Sequence, residues 1–290
     1  MSSIADVIAA LPLPLICAPM TGVSGPGLTA AACVAGVAGS FPTGNCRTAG
    51  ELDEWLTGIQ AARASARAAG GQPGPLAVNL IIRGNRRIAE DIGLIVKHGV
   101  DFVITSVGSP AEVVGPLHAG GVSVIADVAS MHHAARALEA GVDGLVLLTA
   151  GAGGHTGWAN GFAFVRAVRA EYAGPVVMAG GISDGAALWA ARVLGCDLGY
   201  MGTKFIATVE ARGSDDYKAA LVTSSLDDVT LGVAPNGIAA SQLRTSTGSA
   251  GHSVSGVRAI TTAAELVETT RREWFEAIRG TGALAAKLLA

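Results

Sequence analysis

Eight times between Pro14 and Gly202 the chain runs through a short apolar segment bounded by Gly or Pro, with alanine-rich stretches of helical character in between. The segments are PLICAPM, VAGSF, PLAVNLI, DFVITS, VSVIADV, DGLVLLT, PVVMAGG and DLGYMG. None alternates steadily between apolar and polar residues, which is the pattern of parallel strands buried on both faces. Intervening stretches such as LDEWLTGIQAARASARAA and SMHHAARALEAG carry apolar faces, and several end at Gly before the next strand, as short αβ connections do. Eight strand-helix repeats predict an α/β fold of the TIM (β/α)8 barrel class ahead of a doubly wound sheet.

Composition agrees. Half the residues are hydrophobic but only 4% are aromatic, so the interior is built from small aliphatic side chains that let helices and strands approach closely. We read residues 1–290 as a single domain. After strand eight the rhythm fades, and residues 213–258 form an excursion, either a lid over the barrel mouth or an irregular surface region. A charged helix is expected around Thr261 to Arg279, docked by Trp274 and Phe275.

A net charge of -3 with scattered Lys and Arg supplies no basic field for a nucleic acid. Cys17, Cys33, Cys46 and Cys196 lack metal-ligand spacing and read as reduced, mostly buried thiols; no metal is expected. The N-terminal segment has no secretory pattern, and glycines and charges interrupt every apolar run before it reaches the length of about 20 residues needed to span a bilayer. A cytoplasmic protein that engages neither membrane nor nucleic acid is therefore expected, and homo-oligomers are compatible with this composition.

Two late segments carry the most specific signal. Gly180-Gly181-Ile182-Ser183-Asp184-Gly185 follows the seventh strand, and Met201-Gly202-Thr203-Lys204 follows the eighth. In a barrel these lie side by side at the C-terminal face, where phosphate sites form. Gly180, Gly181, Gly202 and Thr203 are the phosphate-binding candidates, the alternative being two ordinary βα turns. Ser183 reads as a helix N-cap with Asp184 in the first turn. No Rossmann or Walker motif occurs in the required context. Across the mouth from these glycines we place Pro19, Met20 and Thr21, after strand one, and Asn79, near the end of strand three. Met20 offers apolar contact and Asn79 directional hydrogen bonds, chemistry that suits a planar cofactor such as FMN better than a bare sugar phosphate.

The segments LICAPMTGVS, LAVNL, AGAGGHTG and VVMAGGISDGAALWAARVLGCDLGYMGTKFIATVEA together resemble the nitronate monooxygenase (2-nitropropane dioxygenase) family, from about Leu13 to Glu210. The resemblance implies an FMN-containing TIM barrel that oxidises alkyl nitronates with molecular oxygen to carbonyl compounds and nitrite. Its partners are then a small-molecule substrate and oxygen, without a nicotinamide. By motif, Pro19, Met20 and Thr21 would line the flavin, Asn79 would approach its ring or ribityl chain, and Gly180, Gly181, Gly202 and Thr203 would surround its phosphate. His155 occupies the family's catalytic position. Many members carry glutamine and glutamate where this chain has Leu148 and Gly151. Flavin-dependent enoyl-thioester reductases share the barrel and a similar AGGH segment, so an NAD(P)H-dependent reductase of enoyl thioesters or quinones is the alternative enzyme. A non-enzymatic FMN- or phosphate-binding barrel is the remaining class.

His155 falls just beyond strand six. With a reference pKa of about 6.5, an imidazole there can accept and return a substrate proton near neutral pH. It reads as a catalytic or substrate-orienting group, or else as a histidine in a glycine-rich loop.

Overall fold

The structure, a computed structural model, describes residues 3–234 and 237–290. Its elements in chain order are α1 (Ile4–Ala9), β1 (Leu15–Cys17), α2 (Pro26–Val34), β2 (Ala38–Pro42), α3 (Ala49–Ala68), β3 (Leu76–Ile81), α4 (Ile88–Lys97), β4 (Phe102–Ser106), α5 (Ala111–Ala119), β5 (Ser123–Val128), α6 (Met131–Glu139) and β6 (Gly144–Leu148). There follow β7 (Gly154–His155), α7 (Gly161–Glu171), β8 (Val176–Ala179), α8 (Gly185–Leu194), β9 (Leu198–Met201), α9 (Thr203–Ile206), α10 (Asp215–Thr223), β10 (Val229–Val233), β11 (Ala239–Leu243) and α11 (Ala263–Leu289).

Strands β1 to β6, β8 and β9 close into a parallel barrel, the TIM architecture expected from the eight repeats. Closure runs through β1 and β9, where Leu15 pairs with Gly199, Ile16 with Tyr200 and Cys17 with Met201. The strands are buried on both faces, which accounts for their unbroken apolar runs. Ile16, Ala77, Phe102, Ile125, Val146 and Val177 pack in the barrel interior, while residues such as Leu15, Val78, Val103, Leu145 and Val176 pack in the separate core cluster that holds the helices' buried faces. Helix α1, not anticipated from the sequence, sends Ile4, Val7, Ile8 and the following Leu11 into the interior cluster.

The helices start where side chains satisfy otherwise unpaired backbone N–H groups. Thr48 caps α3 through Glu51 N, Ser130 caps α6 through His133 N, and Asn160 caps α7 through Phe162 N. At α8 the expected cap is displaced by one residue: Asp184, not Ser183, accepts from Ala187 N, at 2.8 Å. Ser183 instead donates to Asp184 Oδ2 at 3.2 Å. A carboxylate in that position also meets the positive end of the helix, so the shift costs nothing electrostatically.

The excursion is more regular than its sequence suggests. It contains α10 and an antiparallel β10–β11 pair that takes in β7 as a third strand. The terminal helix is longer than expected, Ala263–Leu289 rather than 261–279, and opens with a Thr262–Glu265 capping box. It docks on α8 through Trp274, whose ring meets Trp189 edge-on at a centroid separation of 5.3 Å. Gly185 lies so close beneath α11 that an added Cβ would strike Trp274 N and Thr270 O. Gly185→Ala is therefore expected to destabilise the fold by about 1–3 kcal/mol through overpacking, measured by urea unfolding; an unchanged midpoint would show that α11 is not held against α8 in this way.

Candidate functional site

The C-terminal ends of the barrel strands open into a cavity of about 640 Å³. All the site residues put forward from the sequence line it: Pro19, Met20, Thr21 and Asn79, then Gly180, Gly181, Gly202 and Thr203, and finally His155. Their arrangement differs from expectation in one respect. Pro19–Thr21 do not lie across the mouth from Gly202 and Thr203 but beside them, because the β1–β9 seam continues upward through Ala18 N donating to Met201 O at 3.0 Å. The Met20 sulfur lies 3.5 Å from where a Gly202 Cβ would stand.

Two residues that the sequence did not single out hold the Met20 turn. Asn45 Nδ2 donates to Met20 O at 3.0 Å and to Ser24 O at 2.8 Å, while its Oδ1 accepts from Gly22 N at 2.9 Å. Ser24 Oγ accepts from Met20 N at 3.0 Å. Asn79 is likewise fixed, donating through Nδ2 to Ile104 O at 2.9 Å and to Ser106 Oγ at 3.0 Å. Beyond β4, Val107 adopts φ +53°, a costly conformation for a β-branched residue, and it also lines the cavity.

The glycine end is shaped by close approach. Gly180 has φ +117°, and a Cβ there would stand 3.0 Å from Ala152 N. Gly181 has φ +74° and faces open space, with nothing within 4 Å of a Cβ position. Gly202 caps α9, which is a single turn, so the pocket wall here comes from the loops more than from a helix end. Thr203 is buried, and its Oγ1 accepts from Gly251 N at 3.0 Å, which leaves the hydroxyl proton available for donation.

His155 belongs to a sheet rather than to a free loop. In β7 it pairs with Ala240 of β11, and Gly154 pairs with Ser241. Thr156 N donates to Ala239 O at 3.1 Å and Thr156 Oγ1 to Thr149 O at 2.9 Å. The segment after β11 closes over the same turn: His252 N donates to Gly151 O at 2.9 Å, and a Cβ on Gly153 would lie 2.6 Å from Gly251 N. Tyr217 from α10 donates to Ser249 O, holding this segment from behind. Tyr217, Ala240, Gln242, Gly248, Ser249 and Ser253 all reach the cavity. Of the other histidines, His252 packs on the Gly151 turn, whereas His98 lies against Asp53 Oδ1 at 2.5 Å and His118 against Asp143 Oδ2 at 2.8 Å.

The cavity floor holds two polar groups that sequence reading missed, Asp127 at the end of β5 and Tyr200 in β9. Asp127 Oδ1 is buried without a hydrogen-bond partner among the described residues. Burial pushes its carboxyl up to about 7. Burial also pushes the Tyr200 phenol well above its ordinary value, with smaller contributions from Asp127 and Cys17. Among the described residues no group of three or more His, Cys, Asp or Glu could hold a metal ion, and no helix is long and apolar enough to cross a membrane.

The nitronate monooxygenase family model matches residues 74–269, more than half of the chain. The chain belongs to the nitronate monooxygenase family. It is thus an oxidoreductase of a flavin-dependent family built on a TIM barrel. A curated nitronate monooxygenase of Paraburkholderia phytofirmans is 28% identical over 265 residues, covering 77% of this chain and 71% of that protein. Several other curated relatives are matched over less than half their length. Among solved structures, FabK from Thermotoga maritima superposes with a TM-score of 0.85 at 23% identity, over 98% of this chain and 99% of that one. A nitroalkane oxidase from Streptomyces ansochromogenes superposes with a TM-score of 0.84 at 22% identity, over 96% of this chain and 100% of that one. These superpositions show a shared fold.

The close backbone crossing at Gly153 generates a direct expectation. Gly153→Ala should push the 248–256 segment off the His155 turn, seen as faster amide exchange confined to residues 248–256 and 151–156 with global stability lowered by about 1–3 kcal/mol at most. Unaltered exchange there would mean that the two segments do not depend on each other.

Proposed function

We propose that this family member binds FMN in the barrel-mouth cavity and oxidises alkyl nitronates, and the nitroalkanes that give rise to them, with molecular oxygen to carbonyl compounds and nitrite. The observation that carries the reading is the seating of His155: an imidazole held by a sheet in the wall of the cavity that Met20, Asn79, Gly181 and Thr203 also line, in the family's motif. The cavity volume of about 640 Å³ lies within the usual range for cofactor sites. Gly181, with its open Cβ position, offers backbone where a phosphate needs close approach. Met20, Leu148 and Ala179 supply apolar surface, and Asn79, Asp127 and Thr203 supply polar groups of the kind a flavin's heteroatoms and phosphate take up.

Bound FMN supplies the electron acceptor. Gly180, Gly181, Gly202 and Thr203 hold its phosphate, with the Thr203 hydroxyl donating. Pro19, Met20 and Thr21, clamped by Asn45 and Ser24, form the wall beside that phosphate, and Asn79 faces the ring or ribityl chain. A ring nitrogen of His155 accepts the proton from the carbon beside the nitro group of a neutral nitroalkane and so delivers the electron-rich anion in place. The 248–253 segment and β11 limit water access above the substrate, which strengthens every polar contact beneath them.

Two readouts test this. In anaerobic rapid mixing of FMN-loaded protein, propyl-2-nitronate or propionate 3-nitronate bleaches the flavin and NAD(P)H does not; rapid bleaching by NAD(P)H alone would replace the assignment with a reductase. His155→Ala retains FMN but loses at least about tenfold in kcat/KM, about 1.4 kcal/mol of transition-state stabilisation, with neutral nitroalkane affected more than preformed nitronate. Near-wild-type kinetics on both forms would remove His155 from the chemistry.

A further inference from the structure

Nothing in the nitronate reaction as derived above uses the carboxyl on the cavity floor. Asp127 points inward from β5, two residues beyond Ile125 of the barrel interior, paired with Val146 of β6 and one step past the Thr105–Ala126 pair with β4, and it lines the cavity with Ser106 and Leu148. Its surroundings supply no counter-charge. Among the described residues, the titratable ones that line the cavity are Asp127, His155, Tyr200 and Tyr217, and none of the lining residues is Lys or Arg. Tyr200 faces it from β9, with the Cys17 thiol of β1 nearby. His155 and Tyr217 reach the cavity from β7 and α10. The amide of Asn79 on β3 is committed to Ile104 O and Ser106 Oγ.

A buried carboxyl with no cation beside it and no donor to Oδ1 holds its proton well above the ordinary carboxylate range, because removing it leaves an uncompensated charge in a poorly solvated site. Protonated, it is an O–H donor, and among the described residues its buried Oδ1 has no hydrogen-bond partner. A dianionic phosphate held at the glycine end would favour the neutral form further.

We propose that Asp127 is a proton-bearing floor residue that donates a hydrogen bond to a ring nitrogen or carbonyl oxygen of the bound flavin, making flavin affinity depend on its protonation. This rests on the FMN reading of the cavity. The acid form binds the ring; ionisation converts the donor into an acceptor-only carboxylate that repels the same heteroatom and the phosphate charge. Asp127 is in this respect a positioning group for the cofactor and takes no part in proton removal from the substrate.

The test has an arm that needs no flavin. An unfolded Asp titrates at about 3.9, whereas folding raises Asp127 to about 7. Between those values the native state binds more protons than the unfolded state, so this group's contribution to stability is present at low pH, is lost as pH rises through about 7, and is constant above that. Asp127→Asn cannot ionise. Urea unfolding of the apoprotein should show the Asn variant's advantage over wild type growing by at least about tenfold in the unfolding constant from pH 4.5 to 7.5, one pKa unit being a factor of ten. A gap that does not change with pH overturns the proposal whatever the cofactor.

In the second arm FMN is titrated into both apoproteins from pH 6 to 8.5. Wild-type affinity should fall by about tenfold relative to Asp127→Asn, whose amide still donates; taking the ratio cancels contributions from His155 and from the FMN phosphate, which titrates near 6. A constant ratio overturns the donation. Wild type that binds no FMN at any pH overturns the cofactor reading and donation with it, and the first arm then shows separately whether Asp127 holds its proton. Should Asp127→Asn fail to fold, calorimetry of FMN binding to wild type at pH 8, in buffers of different ionisation enthalpy, carries the test: net proton uptake supports the proposal and its absence overturns it.

Discussion

The site depends on one seam. Hydrogen-bonded pairing of β1 with β9 closes the barrel and brings the turn after the first strand against the turn after the last, although the two are separated by most of the domain. Gly199 lets α8 pack close behind the seam, because a Cβ there would lie 2.5 Å from Leu188 Cδ1 and 3.3 Å from Ile182 Cγ2. Without a side chain at that point, α8 packs close behind β9, and the Gly180–Gly181 turn that leads into α8 stays level with Gly202 and Thr203. Apolar burial on both strand faces then makes this one arrangement cohesive.

A second constraint is imposed from outside the barrel. The β10–β11 hairpin recruits Gly154 and His155 as a third strand, so the orientation of the histidine is set by a partner some 85 residues further along the chain, as the pairing of His155 with Ala240 shows. Gly151 carries a related message. The family resemblance leads one to expect an acidic side chain there, but φ is +94° and a Cβ would run into the His252 ring. In this chain the C-terminal segment occupies the space that a longer side chain at 151 would need. Together with Leu148 on the floor, that makes the substrate side of the cavity less polar at these two positions than the resemblance alone implies.

The strands were legible because double burial writes itself as short apolar runs between Gly and Pro, and the VAGSF segment, with its internal glycine, forms β2. The glycine turns were legible for the same reason, since their place after the last two strands follows from counting. What was not legible depends on distant partners. β7 is two residues long and exists only through β11. The placement of Pro19–Thr21 beside Gly202 required knowing how the barrel closes. Asp127 stands in VSVIADV as one polar residue in an apolar run, and only the burial and isolation of its carboxyl distinguish it from an ordinary strand-end acid. Asn45 was passed over because its ligands are backbone atoms of another turn.

The central claim is that the convergence of the β1, β3, β8 and β9 ends makes an FMN site. Mass spectrometry of the ligand released by heat from FMN-reconstituted protein, with protein quantified in parallel, tests it most directly. The account predicts FMN as the released species at a ratio approaching one per chain. Well-folded protein that releases no flavin, or that retains FAD in preference to FMN, would contradict it.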